Sequence, residues 1–252
     1  MKKLQSNILL FILLVFETSI FAIDADLFVK KAIDKNNPKE PKNATYLVDN
    51  TVIQYEQGDF SKPLGKKISK ERHTLKEGED YEVETLEEVV EGEFDMDKKD
   101  KDKDKDIDEN EDSEEESEDN SESQDFNMSA EGENFPLSEE GFSKYDFNFE
   151  GIKQINGKDV YEISFDPFKK SKDFLVGSAF FSTSDSLLRR IDFQMAKNMT
   201  GLKHFEMSMD FDYIEGFTIM TAMNMKMFFK VLFVANETFE VKQKMYNYEF
   251  LD

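Results

Sequence analysis

Residues Tyr145–Pro167, YDFNFEGIKQINGKDVYEISFDP, decide how the chain is built. Tyr145, Phe147 and Phe149 alternate with Asp146, Asn148 and Glu150. Successive side chains of a strand point to opposite faces, so this period of two predicts a strand with one apolar and one wet face. Asn156-Gly157 follows, the dipeptide that best tolerates the positive φ angles of a two-residue hairpin. Beyond it Tyr161, Ile163 and Phe165 alternate with Glu162 and Ser164, and Asp166-Pro167 ends the strand. The stretch is therefore an antiparallel hairpin with a shared apolar face.

The same period extends in both directions. Phe174–Ser182 and Leu187–Met195 flank a Ser-Thr-Ser-Asp turn. Phe205, Met207, Met209, Phe211 and Tyr213 alternate with Glu206, Ser208, Asp210 and Asp212. Residues 217–234 are long enough for two strands, and 238–250 form the last. Upstream, 44–56 and 66–90 read as three strands, with turns at Gly58, Pro63-Leu64-Gly65 and Gly78-Glu79-Asp80. One amphipathic helix precedes them, Asp24–Asn36, capped by Asp24 or Asp26 and apolar at Leu27, Phe28 and Ala32. Pro136–Gly141 holds at most a further helical turn.

About ten strands and one good helix leave a shortage of cover, because an apolar sheet face must be buried against another layer. A helix of this size is roughly 20 Å long and cannot roof ten strands. The sheet must curl on itself. The expected class is mainly β: a curled antiparallel sheet forming an incomplete half-barrel, with an N-terminal helix and a disordered acidic insert. Phe and Met line its apolar face; the whole chain holds 25 Phe and 12 Met and no Trp. Methionine is unbranched and adaptable, which suits a surface that accepts varied apolar partners. The candidate lining is Phe205, Met207, Met209, Phe211, Met223, Met225, Met227 and Phe229. The same stripe also serves as a plain filled core.

The ends and the charge bound the function. Lys2-Lys3, the apolar run Ile8–Phe16 and the small residue Ala22 give residues 1–22 the form of a signal peptide, with Ala25 as a second cleavage position. The apolar run is well short of the ~20 residues a membrane-spanning helix needs. There is no cysteine, hence no disulfide and no lipid-modified N-terminal Cys. Only Arg72, Arg189 and Arg190 are arginines among 32 basic residues, the usage of an AT-rich bacterial genome. The expected location is a bacterial periplasm. The net charge is −23, and Glu91–Asp125 carries 5 − 19 = −14 of it. No basic patch exists to displace counterions from phosphates, so nucleic acid is not an expected partner. Residues 91–134 hold too little apolar surface to offset the entropy of ordering and form the expected insert. They separate 23–90, the helix and first strands, from 135–252, the main sheet. The insert is a solvated spacer, a diffuse Ca²⁺ binder, or a segment recruiting a basic envelope protein.

Enzymatic signals are weak. His73 and His204 are the only histidines and read as solvated positions on polar strand faces. There is no HExxH, P-loop, GxSxG or cysteine nucleophile, and no cofactor or metal is expected. Arg189-Arg190 point to opposite faces and suit either cross-strand pairing with acids or one arginine at a cavity mouth.

The order of these features resembles the LolA/LolB-like fold of periplasmic lipoprotein carriers and outer-membrane lipoprotein-sorting proteins. The likeness rests on the early helix, the 147–167 hairpin ending in FDP, the hairpin FLVGSAFFSTSDSLLRRIDF (Phe174–Phe193), DYIEGF (Asp212–Phe217) and the closing YNYEF. It implies an incomplete antiparallel barrel with helices over the open side, holding lipid or lipoprotein acyl chains in an apolar concavity. Apart from the resemblance, the chain is expected to be a monomer and not an enzyme. The acidic insert lies outside the family pattern, one helix is fewer than a carrier's lid, and no individual family residue carries over.

Overall fold

Asn156 and Gly157 both adopt positive φ, 51° and 75°, so Ile155 pairs directly with Lys158 and the chain reverses in two residues. From this hairpin the computed structural model, which describes residues 23–36, 41–78, 80–94, 132–231 and 235–251, extends into a single antiparallel sheet. The strands are β1 (Ala44–Glu56), β2 (Asp59–Leu75), β3 (Glu82–Gly92), β4 (Tyr145–Ile155), β5 (Lys158–Pro167), β6 (Leu175–Ser182), β7 (Leu188–Met195), β8 (Leu202–Ile214), β9 (Phe217–Val231) and β10 (Ala235–Phe250). The spatial order is β3-β2-β1-β10-β9-β8-β7-β6-β5-β4. Every neighbour in space is a neighbour in sequence except β1 and β10, which join the first strand to the last. The sheet does not close: β3 and β4 are its two edges. The expected open, mainly β architecture is what the chain adopts.

Helix α1 (Ala25–Asn36) starts where Asp24 Oδ1 accepts from the Leu27 backbone N–H at 3.1 Å, so Asp24 is the cap. Its buried stripe is Ala25, Val29 and Ala32, with Phe28 and Ile33 beside it. Phe28 meets Tyr161 on β5 and Phe181 on β6 edge-on at 5.6 and 5.4 Å, while the helix backbone runs nearest β4. Leu27, expected on the inner face, is half exposed instead, because Val29 and Ala32 define the contact stripe one position round. A one-turn helix α2 (Glu139–Phe142) is capped by Ser138, whose hydroxyl accepts from Gly141 N–H. It stacks Phe142 on Phe147 at 5.1 Å. Tyr145 ties this corner together. Its hydroxyl donates to the Asn134 carbonyl at 2.7 Å and accepts from Leu175 N–H at 3.2 Å.

Three further expectations are corrected. Pro63-Leu64-Gly65 is not a turn but part of β2. Register shifts at Gln54 and Tyr55 place Pro63 opposite Tyr55 in an irregular stretch, where a missing N–H costs no regular ladder bond. Residues 217–234 supply one long strand, β9, rather than two, because no turn residue interrupts it before Val231. The acidic stretch begins later than expected, since Glu91 and Gly92 still pair in β3. Residues 1–22 and all but the ends of 91–134 lie outside the described residues.

Candidate functional site

The registers assemble the apolar face row by row. One row runs from β2 to β4 as Ser69, Asn50, Gln243, Met223, Met209, Ile191, Ala179, Ile163 and Phe149. The next is Lys67, Val52, Val241, Met225, Met207, Phe193, Gly177, Phe165 and Phe147. Gln54, Phe239, Met227 and Phe205 begin a third. Residues paired across antiparallel strands share a face, so each row is continuous on the side where α1 sits.

Cover is uneven along these rows. Under α1 and the Phe135–Phe142 corner the face is filled: Ile163, Phe165, Ile191 and Phe193 are buried. Of the eight residues singled out from sequence, Phe205 and Met207 belong to this buried part. Met209, Phe211, Met223, Met225, Met227 and Phe229 pack against it but stay partly exposed. All eight therefore stand on one face in one cluster, two buried and six partly exposed. Phe211 keeps its place although a bulge after Asp210 shifts its partner to Met220.

Farther along the same face, on β1 and β2, the apolar track gives way to a polar network that sequence reading missed. The Ser69 hydroxyl donates to Glu71 Oε1 at 2.6 Å, and His73 Nε2 lies 2.9 Å from Glu71 Oε2. A carboxylate only accepts, so Nε2 carries the proton. His73 Nδ1 contacts the Tyr81 hydroxyl, which is 3.0 Å from the Tyr46 hydroxyl. Tyr46 stacks on Tyr248 at 4.8 Å. Burial alone pushes the Glu71 carboxyl up, but hydrogen bonds from Ser69, His73 and Asn50 outweigh it and hold it below the usual range. Tyr81 is pushed up by burial and by its bond to Tyr46, so it stays a phenol. Ser69 faces Glu71 rather than the imidazole. The group is a fixed hydrogen-bonded chain without an activated nucleophile. His73 is buried here, not solvated as expected. Register places it opposite Tyr46, on the same face as Val48 and Glu71.

The outer face is a ladder of charges. Arg190 forks onto Asp210 at 2.5 and 3.1 Å. Arg189 sits at the bulge where Phe181 pairs with Leu188, so it does not take the opposite face expected from alternation, and it bonds Asp212, two residues along β8 from Asp210, at 2.7 Å and Asp185 at 3.0 Å. Both arginines thus serve pairing with aspartates. An open groove of about 470 Å³ crosses this face between Glu162, Phe180, Asp192, Ser208 and Lys226. It lies on the opposite side from the methionine track. His204 sits beside Phe60 at 5.3 Å, on the outer face. No cluster of three or more metal-ligating side chains occurs among the described residues, and no described helix is long and apolar enough to cross a membrane.

The described residues thus form an open antiparallel sheet with an apolar face partly roofed by a short helix. The chain belongs to the family of unknown function DUF5686, whose model matches residues 29–248. No curated protein matches it. Among solved structures it is similar to the LolA superfamily protein NE2245 of Nitrosomonas europaea, with 12% identity and a TM-score of 0.37 over 92% of this chain and 95% of that one. It is similar also to a DUF1329 family protein of Desulfovibrio piger, with 12% identity and a TM-score of 0.40 over 90% and 92%. A third likeness is to a domain described as an outer membrane lipoprotein-sorting protein from Vibrio parahaemolyticus, with 10% identity and a TM-score of 0.36 over 90% and 92%.

Proposed function

We propose that this protein is an exported, periplasmic carrier that holds an acyl chain of a lipid or lipoprotein along Met209, Phe211, Met223, Met225, Met227 and Phe229. The observation that carries the reading is the mismatch between the apolar face and its roof. These six side chains continue the core and stay partly exposed, with no covering layer over them among the described residues. A face of this kind gains by burial, at about 0.8 kcal/mol per CH₂ of a bound chain. Its length is suitable. The six steps of strand from Phe205 to Phe211 span about 20 Å, more than the ~15 Å of one leaflet's hydrocarbon in a ~30 Å core. The methionines adapt to chains of different shape, while Phe205 and Met207 form the floor. Export is supported by the Lys2-Lys3, Ile8–Phe16 and Ala22 pattern. No catalytic step is part of this reading.

The test is mass spectrometry of lipids co-purifying with the mature protein, with displacement of a fluorescent fatty-acid probe as a second readout. Stoichiometric acyl lipid, released in exchange for the probe, supports the reading. A protein reproducibly empty of lipid and unable to bind the probe overturns it.

A further inference from the structure

The two edges of the sheet are treated differently. The start of β4 is tucked under the corner that places Phe142 on Phe147, and Tyr145 and Phe147 are buried. Strand β3 is exposed along all eleven residues and, among the described residues, pairs with β2 alone. An edge strand offers a row of outward backbone N–H and C=O groups to any chain that can pair with it.

The registers sort the β3 side chains by face. On the outer face stand Glu82, Glu84, Glu87, Val89 and Glu91, opposite Thr74, Arg72, Lys70, Ile68 and Lys66. On the helix-bearing face stand Val83, Thr85, Glu88 and Val90, opposite His73, Glu71, Ser69 and Lys67, with Leu86 at the bulge. Three glutamates are already used: Glu84 on Arg72 at 2.6 Å, Glu88 on Lys67 at 3.0 Å and Glu91 on Lys66 at 3.1 Å. The side chains of Glu82 and Glu87 make no ion pair or hydrogen bond among the described residues. Charges on an edge commonly serve only to repel other strands. Here the repulsion is one-sided. The outer face is acidic, while Val83 and Val90 on the other are about half exposed. A second copy of this strand would bring its four outer-face glutamates against these four, and like charges directly opposite destabilise a ladder.

We propose that β3 is an acceptor edge for an extended segment of a partner protein in which lysine or arginine alternates with apolar residues. Paired to β3, such a segment sets its cations beside Glu82 and Glu87 and its apolar residues beside Val83 and Val90. Main-chain hydrogen bonds supply the attachment and the alternation supplies the specificity. The site is separate from the acyl track and stands or falls independently of it.

The experiment uses the mature full-length protein and three ten-residue peptides: alternating lysine–valine, alternating lysine–proline of equal charge, and alternating glutamate–valine. Fluorescence anisotropy reads binding, and amide hydrogen exchange reads where it occurs. The lysine–valine peptide is expected to bind and to slow exchange across 82–92 at least tenfold. Glu82→Gln with Glu87→Gln is expected to weaken it about threefold to tenfold. Equal binding of the lysine–proline peptide reduces the effect to charge attraction and overturns the proposal. So does binding of the glutamate–valine peptide, protection outside β3, or an unchanged affinity in the double variant. Protection of 82–92 without peptide overturns it too: if it grows with protein concentration the edge belongs to a second copy, and if not, to the chain itself.

Discussion

Gly177 stands directly opposite Phe193 across the β6–β7 ladder, and the two backbones approach so closely that a β-carbon at Gly177 would lie 2.0 Å from the Asp192 carbonyl oxygen and 2.7 Å from Phe193 Cα. The missing side chain lets β6 and β7 pack tightly in the middle of the filled half of the apolar face. Gly177→Ala is therefore expected to destabilise the protein by about 3 kcal/mol, the upper end of overpacking costs, because backbone rather than a flexible side chain must yield. A urea titration checks it: the midpoint falls while the slope stays constant.

Tyr145 is nearly fully buried, yet its hydroxyl serves two backbone groups from different parts of the chain, Asn134 and Leu175. Tyr145→Phe keeps the ring against Phe165 at 5.9 Å and removes only the oxygen. A buried N–H and a carbonyl then lose their partner. The expected cost is ~1–3 kcal/mol, seen in thermal melts, with faster amide exchange at Leu175.

The Glu71 network makes stability depend on acid. Its carboxyl has an ordinary value of 4.5 and is held lower in the fold by Ser69, His73 and Asn50 against the opposing effect of burial. The unfolded chain thus takes up this proton at a higher pH than the folded one. The contribution is fully present above about pH 4.5 and is lost as pH falls through the lower folded value. Glu71→Gln is expected to melt lower than the parent at pH 7, with the gap closing progressively as the pH falls below about 4.5. A constant gap across that range would show that the carboxylate's charge plays no part. Asp185 and Glu240 are also held low and leave a residual acid dependence in both proteins.

What the sequence revealed follows from where side chains alternate cleanly. The stretch Tyr145–Met195 is legible because every second residue is large and apolar and Asn156-Gly157 marks its reversal, so β4 to β7 lie close to their expected limits. The methionine stripe is legible for the same reason. The face holding Met209 and Met223 follows from their alternation with Asp210 and Asn224. Strand β2 hides its face. In SKERHTL no apolar alternation shows that Ser69, Glu71 and His73 turn inward. Only the pairing of Glu71 with Val48 and of Val48 with Met245 reveals it. Pro63 misled because a proline in a strand normally signals a break, and only a bulge, which depends on the partner strand, tolerates it. The joining of β1 to β10 is a long-range pairing that no local period encodes.

Met225 tests the acyl track most directly. It lies between Met207 on β8 and Val241 on β10, in the row that passes from the filled to the open half of the face. It remains partly exposed, so a carboxylate placed there can still reach water and the fold should survive. A bound acyl chain would bury that carboxylate without a partner, at a cost that exceeds what a few methylenes contribute. Met225→Glu is expected to reduce co-purifying lipid at least tenfold while lowering the melting temperature by only a few degrees. Met225→Leu, similar in volume and still apolar, is expected to retain the lipid. If lipid is lost equally from both variants, the loss comes from altered packing and not from the charge. If neither loses it, the chain is held somewhere other than this track.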